Sequence, residues 1–373
     1  MLKILADQNI YKLSQFLPDE IELTTYNNSD PIPSLNGYDA LIASTVTKLN
    51  EFTIPSIPQS LKAIGTASSG SDHIDAQYFQ NNGVKVFDAK GCNAKTVGEY
   101  IITVLILWSI KKNKNPEDYT VGVIGAGATG SEVKKQLQEF NIPFKMYDPP
   151  KELTHEEFNS ASLQEILDCD ILTFHVPLTE GKPNSTFHWL DKDKLNSSSF
   201  ELIINAARGG VIDESALLDA LATGSVKDVV IDVWENEPDF NTELAKKAFI
   251  STPHMAGHSE QGKLIASGII CDKIGSVLGF KSNPADSMLI KKEQAISDLN
   301  YTLLNLILRL HPIREYDADI RNICSRPDKA ILFQKLRTDR PYRYEYPYIS
   351  LDKTLLDEFK VLKKLGVKPL ANT

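Results

Sequence analysis

Three charged side chains stand where short apolar runs of the chain end. They are Arg208, Glu237 and His254. Each follows a run with the composition of a buried β-strand. In an open parallel sheet, ligands bind beyond the carboxyl ends of the strands. We therefore expect these three side chains to lie at one edge of a sheet.

The three residue types suit the oxidation of a hydroxy acid. Histidine has an ordinary pKa near neutrality, so His254 can take a hydroxyl proton as hydride leaves. A carboxylate such as Glu237 stabilises the protonated ring and orients it. Glu235 is a competing partner for the histidine, because it lies two residues earlier. Arg208 can hold a substrate carboxylate through two parallel hydrogen bonds.

A glycine-rich turn predicts the hydride acceptor. The apolar run 121–124 is followed by glycines at 125, 127 and 130. Gly125 allows a tight turn, Gly127 lets a pyrophosphate approach the backbone, and Gly130 lets the next helix pack closely. Asp148, after the next strand-like run, can bind the adenosine ribose, and its charge disfavours a 2′-phosphate. The pattern indicates NAD.

Strand-like and helix-like stretches alternate over the first 280 residues or so. This alternation is typical of parallel sheets in an α/β fold. We expect helices at Thr96–Trp108 and Ser131–Phe140, and a polar loop at Lys111–Asp118. The candidate strands are Lys3–Ala6, Ala40–Ala43, Ala63–Thr66, Lys85–Asp88, Val121–Ile124, Phe144–Tyr147, Ile171–Phe174, Leu202–Asn205, Asp228–Asp232 and Phe249–Ser251.

The pattern changes after about residue 283. Asn283–Asp286 has the composition of a linker, and Glu293–Leu310 has the apolar spacing of an amphipathic helix. Tyr342–Leu351 alternates aromatic and polar residues like a strand, and Leu355–Leu365 again favours a helix. We expect a third, small α+β domain here.

Composition narrows the class of partners. The net charge of −9 argues against a broad basic face for nucleic acid. The four cysteines show neither CxxC spacing nor a zinc pattern, so we expect reduced thiols and no metal. The longest apolar run, Ile101–Trp108, is too short to span a membrane. Because Met1–Asp7 lacks the pattern of a secretion signal, we expect a cytoplasmic protein without a membrane partner.

With these motifs in this order, the sequence resembles the D-isomer-specific 2-hydroxyacid dehydrogenases. The matching segments are 125–130, 205–210, 232–238 and 253–254. The Glu-Pro pair of the third segment favours Glu237 over Glu235 as the histidine partner. The resemblance implies an α/β fold with two Rossmann-like, doubly wound parallel-sheet lobes and an active site in the cleft between them. A C-terminal extension of about 90 residues is implied to be an α+β dimerisation domain of a homodimer.

The resemblance also implies a domain division and a set of site residues. Residues 1–95 with 260–282 form a substrate domain, 96–259 an NAD-binding domain and 283–373 the dimerisation domain. Arg208, Glu237 and His254 are implied as catalytic, and Thr45, Thr66 and His258 as substrate contacts. The implied cofactor contacts are Gly125, Gly127, Ala128, Thr129, Gly130, Asp148, Val176, Ala206, Ala207, Asp232 and Gly257.

The resemblance further implies that the substrate is a small phosphorylated 2-hydroxy acid. Its phosphate needs cations or N–H donors. Lys48 is one candidate, and the cluster of Arg337, Arg340 and Arg343 is another, although such a cluster also fits a solvated face. Two alternatives stay open: a dehydrogenase for phosphoglycerate, glycerate or another 2-hydroxy acid, and an NAD-sensing binding protein without turnover.

Overall fold

The computed structural model of the chain describes residues 1–181, 183–284, 294–296 and 298–370. It divides into two compact units. Unit 1 contains Met1–Asn93 and the described part of Ser259–Glu293, and unit 2 contains Ala94–His258 and the described residues from Gln294 onward. The chain therefore leaves unit 1 after Asn93, returns to it at Ser259 and passes back to unit 2 for the C-terminal segment.

Unit 1 is built on a parallel sheet with the strand order β2-β1-β3-β4-β5. The central strands β3 and β4 are buried along their whole length, as expected for a sheet covered on both faces. Gly65 in β4 allows Ile270 to pack against the sheet, since a Cβ there would lie 2.5 Å from the isoleucine Cδ1. The elements are β1 (Leu2–Asp7), β2 (Ile21–Tyr26), β3 (Ala40–Ala43), β4 (Ala63–Thr66), β5 (Lys85–Asp88), α1 (Ala76–Asn81), α9 (Glu260–Leu278) and a 3₁₀ helix (Leu13–Phe16).

Unit 2 contains a second parallel sheet, with the order β11-β10-β9-β8-β6-β7. Its strands β6, β8 and β9 are almost fully buried. The strands are β6 (Val121–Ile124), β7 (Phe144–Tyr147), β8 (Ile171–Phe174), β9 (Phe200–Asn205), β10 (Val226–Ile231) and β11 (Ile250–Ser251). The helices are α2 (Ala94–Lys112), α3 (Ala128–Glu139), α4 (Pro149–Glu152), α5 (Leu163–Leu167), α6 (Lys192–Ser197), α7 (Glu214–Thr223), α8 (Thr242–Lys247) and a 3₁₀ helix (Pro116–Asp118).

The C-terminal segment of unit 2 forms a small parallel sheet in the order β12-β13-β14, with helices beside it. Many of its apolar residues join the core around α2, while Ile320, Ile323 and Phe333 join the second core of unit 2. The elements are β12 (Gln294–Ile296), β13 (Ile349–Leu351), β14 (Lys368–Pro369), α10 (Leu303–Leu310), α11 (Ile313–Ile323), α12 (Lys329–Asp339), α13 (Lys353–Glu358), α14 (Val361–Lys364) and a 3₁₀ helix (Tyr346–Tyr348).

The α/β fold with two parallel Rossmann-like sheets is confirmed. Each candidate strand corresponds to a strand of the structure, with ends that differ by no more than two residues. The sequence analysis missed β2, whose exposed and half-buried residues alternate weakly. The division into three domains and the dimerisation role of the C-terminal segment stay predictions.

Four expectations about elements were wrong in detail. Within Glu293–Leu310 the structure has the strand β12 and the helix α10, while Glu293 itself lies outside the described residues, as do Ala285 and Asp286 of the expected linker. Only the last three residues of Tyr342–Leu351 are a strand. Leu355–Leu365 is divided between α13 and α14, and Lys111–Asp118 contains the end of α2 and a 3₁₀ helix. Short elements of this kind depend on tertiary packing more than on local pattern.

Candidate active site

His254 and Glu237 form a direct pair in unit 2. The imidazole Nδ1 lies 2.9 Å from the Glu237 Oε2, and both side chains are partly exposed. His254 has a left-handed backbone, with φ at 59°. Such a conformation is uncommon for a residue with a side chain and is often retained at functional sites. The structure thus selects Glu237 over Glu235 as the histidine partner.

The surroundings of Glu237 keep its carboxylate ionised. Burial raises the pKa of Glu237, but the charge of His254, its hydrogen bond and the charge of Arg337 together lower it below the ordinary value. The second carboxylate oxygen accepts a hydrogen bond of 2.9 Å from the backbone N–H of Trp234. An anchored, charged carboxylate can orient the histidine ring and stabilise its protonated form.

Asp232, at the end of β10, shapes the turn that carries His254. Its carboxylate accepts hydrogen bonds from the Thr252 hydroxyl and from the backbone N–H groups of Met255 and Ala256, while its carbonyl accepts from the N–H of His254. The side chain is almost completely buried, and burial raises its pKa although the charge of His254 opposes this. In the structure, this carboxylate accepts its hydrogen bonds from groups of the protein itself. A contact of Asp232 with the cofactor stays a prediction.

Arg208 lies in the loop after β9, next to the loop that carries Glu237. Asn205 fixes this loop, because its side chain accepts from the Ala207 N–H and donates to the Arg208 carbonyl. A Cβ on Gly209 would overlap the carbonyl oxygen of Trp234, so the two loops are in contact. The half-buried Arg208 can therefore present its guanidinium close to the loop of the acid–base pair.

The glycine-rich turn has the geometry of a phosphate-binding loop. Gly125 has φ at 96°, and a Cβ there would lie 2.5 Å from the carbonyl oxygen of His175. Gly130, inside α3, packs so closely on the Gly125 carbonyl that a Cβ would overlap it. Space is open around Gly127, where an added Cβ would meet nothing within 4 Å. A pyrophosphate can approach this backbone and the N-terminus of α3, which begins at Ala128 and includes Thr129. These residues fit NAD.

Asp148, at the end of β7, is integrated into the same turn. Its Oδ2 accepts a 2.8 Å hydrogen bond from the Ala126 N–H, and its Oδ1 accepts one of 3.1 Å from the Lys151 N–H. The side chain of Lys151 donates to the Ala126 carbonyl. Asp148 thus lies beside the glycine-rich turn, in a position from which it can reach the adenosine ribose of a bound cofactor. The contact itself stays a prediction.

One further predicted cofactor contact, Val176, borders the glycine-rich turn. Val176 lies beside Gly125, because its Cγ1 would be 2.9 Å from a Cβ on that glycine. The neighbouring His175 is buried, which lowers its pKa to about 3, and its Nε2 lies 2.9 Å from the Thr173 hydroxyl. A histidine in that environment is neutral at physiological pH.

His258 follows the same turn as His254. Its backbone N–H donates to the Met255 carbonyl, and its buried ring lies 4.6 Å from the ring of Tyr342, measured between centroids. Gly257 is half-buried between these residues. Tyr342 had no signal in the sequence, because only the fold brings the C-terminal segment to this place.

The predicted substrate contacts in unit 1 lie at the ends of neighbouring strands. Thr66 closes β4 and is buried, with its hydroxyl 3.2 Å from that of Ser68. Thr45 follows β3 and is exposed, as is Lys48. These three residues stay predicted substrate contacts.

The arginine cluster of the C-terminal segment does not act as one group. Arg340 pairs with Glu315 and Asp319, and Arg343 is buried against Glu99 at 2.7 Å. Those two guanidinium groups are therefore engaged within unit 2. Arg337 differs from these two arginines. Its charge lowers the pKa of Glu237, and its guanidinium makes no ion pair with any residue that the structure describes.

A second histidine, which sequence reasoning did not single out, lies beside these loops. The Nε2 of His188 is 2.8 Å from Glu235 Oε1. No motif in the sequence indicates a role for His188, because only the fold brings it close to Glu235. The competing carboxylate Glu235 thus has a histidine partner of its own.

The described residues contain no group of three or more histidine, cysteine or acidic side chains arranged to hold a metal ion. Among those same residues, no helix is both long and apolar enough to cross a membrane.

Comparison with known proteins agrees with this geometry. Residues 108–256 match the model of the D-isomer specific 2-hydroxyacid dehydrogenase family, NAD binding domain. An erythronate-4-phosphate dehydrogenase of Escherichia coli O127:H6 is 33% identical over 98% of this chain and 98% of its own length. One from Bacteroides thetaiotaomicron is 37% identical over 82% of this chain and 86% of its own.

Solved structures share the fold at lower identity. A D-lactate dehydrogenase from Aquifex aeolicus, solved with NAD and lactic acid, has a TM-score of 0.58 and 23% identity, covering 74% of this chain and 96% of its own. A glyoxylate/hydroxypyruvate reductase from Sinorhizobium meliloti has a TM-score of 0.61 and 20% identity, covering 76% and 98%. The chain belongs to the D-isomer-specific 2-hydroxyacid dehydrogenase family and is an NAD-dependent enzyme of that family.

Proposed function

We propose that the chain oxidises 4-phospho-D-erythronate to 2-oxo-3-hydroxy-4-phosphobutanoate with NAD. The observation that carries the chemistry is the 2.9 Å pair of His254 and Glu237 beside the loop of Arg208. The choice of substrate is supported by relatives named erythronate-4-phosphate dehydrogenase, whose similarity extends over nearly the whole chain, C-terminal segment included.

The proposed roles follow from the chemistry of each side chain. Arg208 binds the substrate carboxylate and so orients the carbon that is oxidised. Neutral His254 takes the C2 hydroxyl proton, and Glu237 stabilises the imidazolium that forms. When bound, NAD supplies the acceptor for the hydride that leaves the same carbon.

The remaining predicted contacts are part of this proposal. Thr45, Thr66 and His258 contact the substrate. The cofactor is held by Gly125, Gly127, Ala128, Thr129, Gly130, Asp148, Val176, Ala206, Ala207, Asp232 and Gly257.

The biological setting is proposed on the same relatives. We place the reaction in pyridoxal 5′-phosphate (vitamin B6) biosynthesis, in the cytoplasm. The working assembly is a homodimer formed through the C-terminal segment, and the partners are the phosphorylated acid and a second copy of the chain, with neither nucleic acid nor membrane.

The proposal is tested by NADH formation with purified protein. We expect 4-phospho-D-erythronate to be oxidised with a kcat/KM far above those of D-3-phosphoglycerate and D-glycerate. A 2-oxo acid is supplied in a parallel reaction, so that slow release of NADH does not hide turnover. Preference for another acid would keep the mechanism and remove the substrate assignment. Tight NADH binding without hydride transfer to any acid would favour the sensor alternative.

Replacing the proposed base tests the mechanism separately. His254→Ala should lower kcat by about 10²–10⁴-fold, because it removes the proton acceptor. NADH affinity, measured by fluorescence, should stay within about twofold, since the glycine-rich turn is on other strands of the sheet. Unchanged turnover in this variant would refute the role of His254.

A further inference from the structure

We propose that His188 is a positioning residue, which ties the loop of Arg208 to the loop of Glu237. The inference rests on the proposed roles of those two residues and adds a third group to them. His188 is not itself expected to touch the reacting atoms.

The backbone of His188 is bonded to the Arg208 loop. Its N–H donates to the Gly210 carbonyl at 2.7 Å, two residues after Arg208. The pairing continues along the chain, because Leu190 forms a parallel bridge with Ile212. The segment around His188 is therefore joined to the Arg208 loop by several backbone contacts.

The side chain of His188 reaches the other loop. Its Nε2 lies 2.8 Å from Glu235 Oε1, while its Nδ1 is 4.0 Å from Asp213. The Phe187 ring stacks on the imidazole at 4.0 Å between centroids and with an interplanar angle of 15°. The imidazole is thus held in one orientation between a carboxylate and an aromatic face.

The backbone of His188 is unusual for its residue type. Its φ is 46°, in the left-handed region, as is the φ of His254. This region is unfavourable for a residue with a side chain, and such a conformation persists where surrounding contacts determine it. Both histidines with this backbone lie next to carboxylates of the same loop, which supports the view that both help to hold that loop in place.

Glu235 transmits the constraint to Glu237. The Glu235 N–H donates to Glu214 Oε1 at 2.8 Å, and the preceding N–H, that of Trp234, donates to Glu237 Oε1 at 2.9 Å. Fixing the Glu235 side chain therefore fixes the short turn that holds Glu237 toward His254. Errors of about 1 Å in such a turn can reduce catalysis by about 100-fold.

The contact between His188 and Glu235 lies in a region rich in carboxyl groups. Asp213, Glu214, Glu235 and Glu237 all lie in or beside these loops, and burial followed by the charges of Glu235 and Glu237 raises the pKa of Glu214 to about 7. The imidazole of His188 faces Glu235 directly through Nε2 and Asp213 at longer range through Nδ1, so its N–H donor meets this group of carboxylates.

The test compares His188→Ala with His188→Gln, whose amide nitrogen can still donate to Glu235. We expect His188→Ala to lower kcat/KM for the hydroxy acid by about 10- to 100-fold, through both kcat and KM. NADH affinity should stay within about twofold, because the glycine-rich turn is elsewhere in the sheet. His188→Gln should recover part of the loss. The matched control is His155→Ala, which removes an exposed histidine and should leave all constants unchanged.

A double-variant cycle with Glu235→Gln tests the link itself. If His188 acts through Glu235, the double variant should be no worse than His188→Ala alone. Additive losses, or an unchanged kcat/KM in His188→Ala, would overturn the proposal. So would an equal loss of NADH affinity and thermal stability, which would indicate a general folding defect.

Hydrogen exchange separates this inference from the proposed substrate. His188→Ala should speed exchange at the amides of Trp234 and Glu235, relative to the amides of α3. This readout needs no turnover, so it decides the role of His188 even if 4-phospho-D-erythronate is not oxidised. Unchanged exchange at those two amides would contradict the proposal.

Discussion

At the residue scale, the site depends on how neighbouring charges set the state of Glu237. Burial alone would raise the pKa of this carboxyl, and the positive charges of His254 and Arg337 reverse that effect. Arg337 is on α12, which is docked beside the Glu237 loop: the Phe333 ring lies 5.6 Å from that of Phe240, and Lys329 pairs with Asp239 at 2.6 Å. The C-terminal segment therefore contributes to the electrostatics of the acid–base pair.

We predict that Arg337→Gln shifts the pH dependence of activity. Without the arginine charge the pKa of Glu237 rises, so the carboxylate is neutralised at a higher pH as acid is added. The acid limb of kcat/KM should therefore move to higher pH. The measurement is a pH–rate profile, with Lys335→Gln on the same helix as the exposed-charge control. An unmoved acid limb would contradict this effect of Arg337.

At the element scale, two glycines of one turn have different purposes. Gly130 allows α3 to pack on the Gly125 carbonyl, whereas Gly127 leaves space where a ligand can approach. Its backbone is extended, with φ at −71°, so other residues could adopt the same conformation. The spacing of the motif already predicts a packing role for Gly130 and a binding role for Gly127, and the surroundings of each position in the structure fit those roles.

Alanine at each position should separate those roles. Gly130→Ala should destabilise the protein by about 1–3 kcal/mol, because the new Cβ overlaps a backbone oxygen that has to move. Gly127→Ala should leave Tm unchanged but weaken NADH binding by about tenfold or more, since its Cβ occupies the approach to the backbone. Thermal unfolding and NADH fluorescence titration measure the two effects. Equal behaviour of the two variants would contradict the distinction.

At the scale of the whole molecule, a buried polar network holds the C-terminal segment against α2. Arg343 donates to Glu99 Oε2 at 2.7 Å and to the Thr96 carbonyl, and Glu345 accepts from the Thr96 hydroxyl. The hydroxyl groups of Thr103 and Tyr346 lie 2.6 Å apart in the same region. The buried guanidinium thus pairs with Glu99, and the charge of Glu345 also acts on it. Burial raises the pKa of Glu99 to about 7, with the charge of Arg343 opposing and that of Glu345 reinforcing the rise.

This raised pKa predicts a pH dependence of stability. Between about pH 4.5 and 7 the folded state binds the Glu99 proton more tightly than the unfolded state does, so stability from this group falls as the pH rises through that window. Glu99→Gln should remove the dependence. The decrease in Tm from pH 5.5 to 7.5 should therefore be smaller in the variant than in the wild type, by about 2 °C.

The control for that comparison is Glu157→Gln, which changes an exposed carboxylate. It should leave the decrease in Tm at its wild-type size. A decrease in Glu99→Gln as large as that of the wild type would show that Glu99 does not titrate in this window.

Much of the fold and part of the site can be predicted from the amino-acid sequence alone. Strands such as 121–124 and 171–174 are mostly apolar and buried along their whole length, which is typical of parallel strands covered on both faces, and their bounds were predicted correctly. The weakly patterned β2 and the short elements after residue 283 were missed or misplaced, since their stability comes from contacts with distant residues.

The sequence by itself determined the chemistry that is available: a glycine-rich turn after a strand, and Arg208, Glu237 and His254 after later strands. The spacing of the motifs predicts these features because they depend on local backbone geometry and on the common direction of parallel strands. The Glu-Pro pair of the family pattern already favoured Glu237 as the partner of His254, and the structure has that pair. Only the tertiary structure decided that Glu235 meets His188. It also decided that Arg337 acts on the Glu237 loop while Arg343 is buried elsewhere. The reason is physical: charge interactions act over a few ångströms in space, and residues that are far apart in the chain reach that distance only when the protein folds.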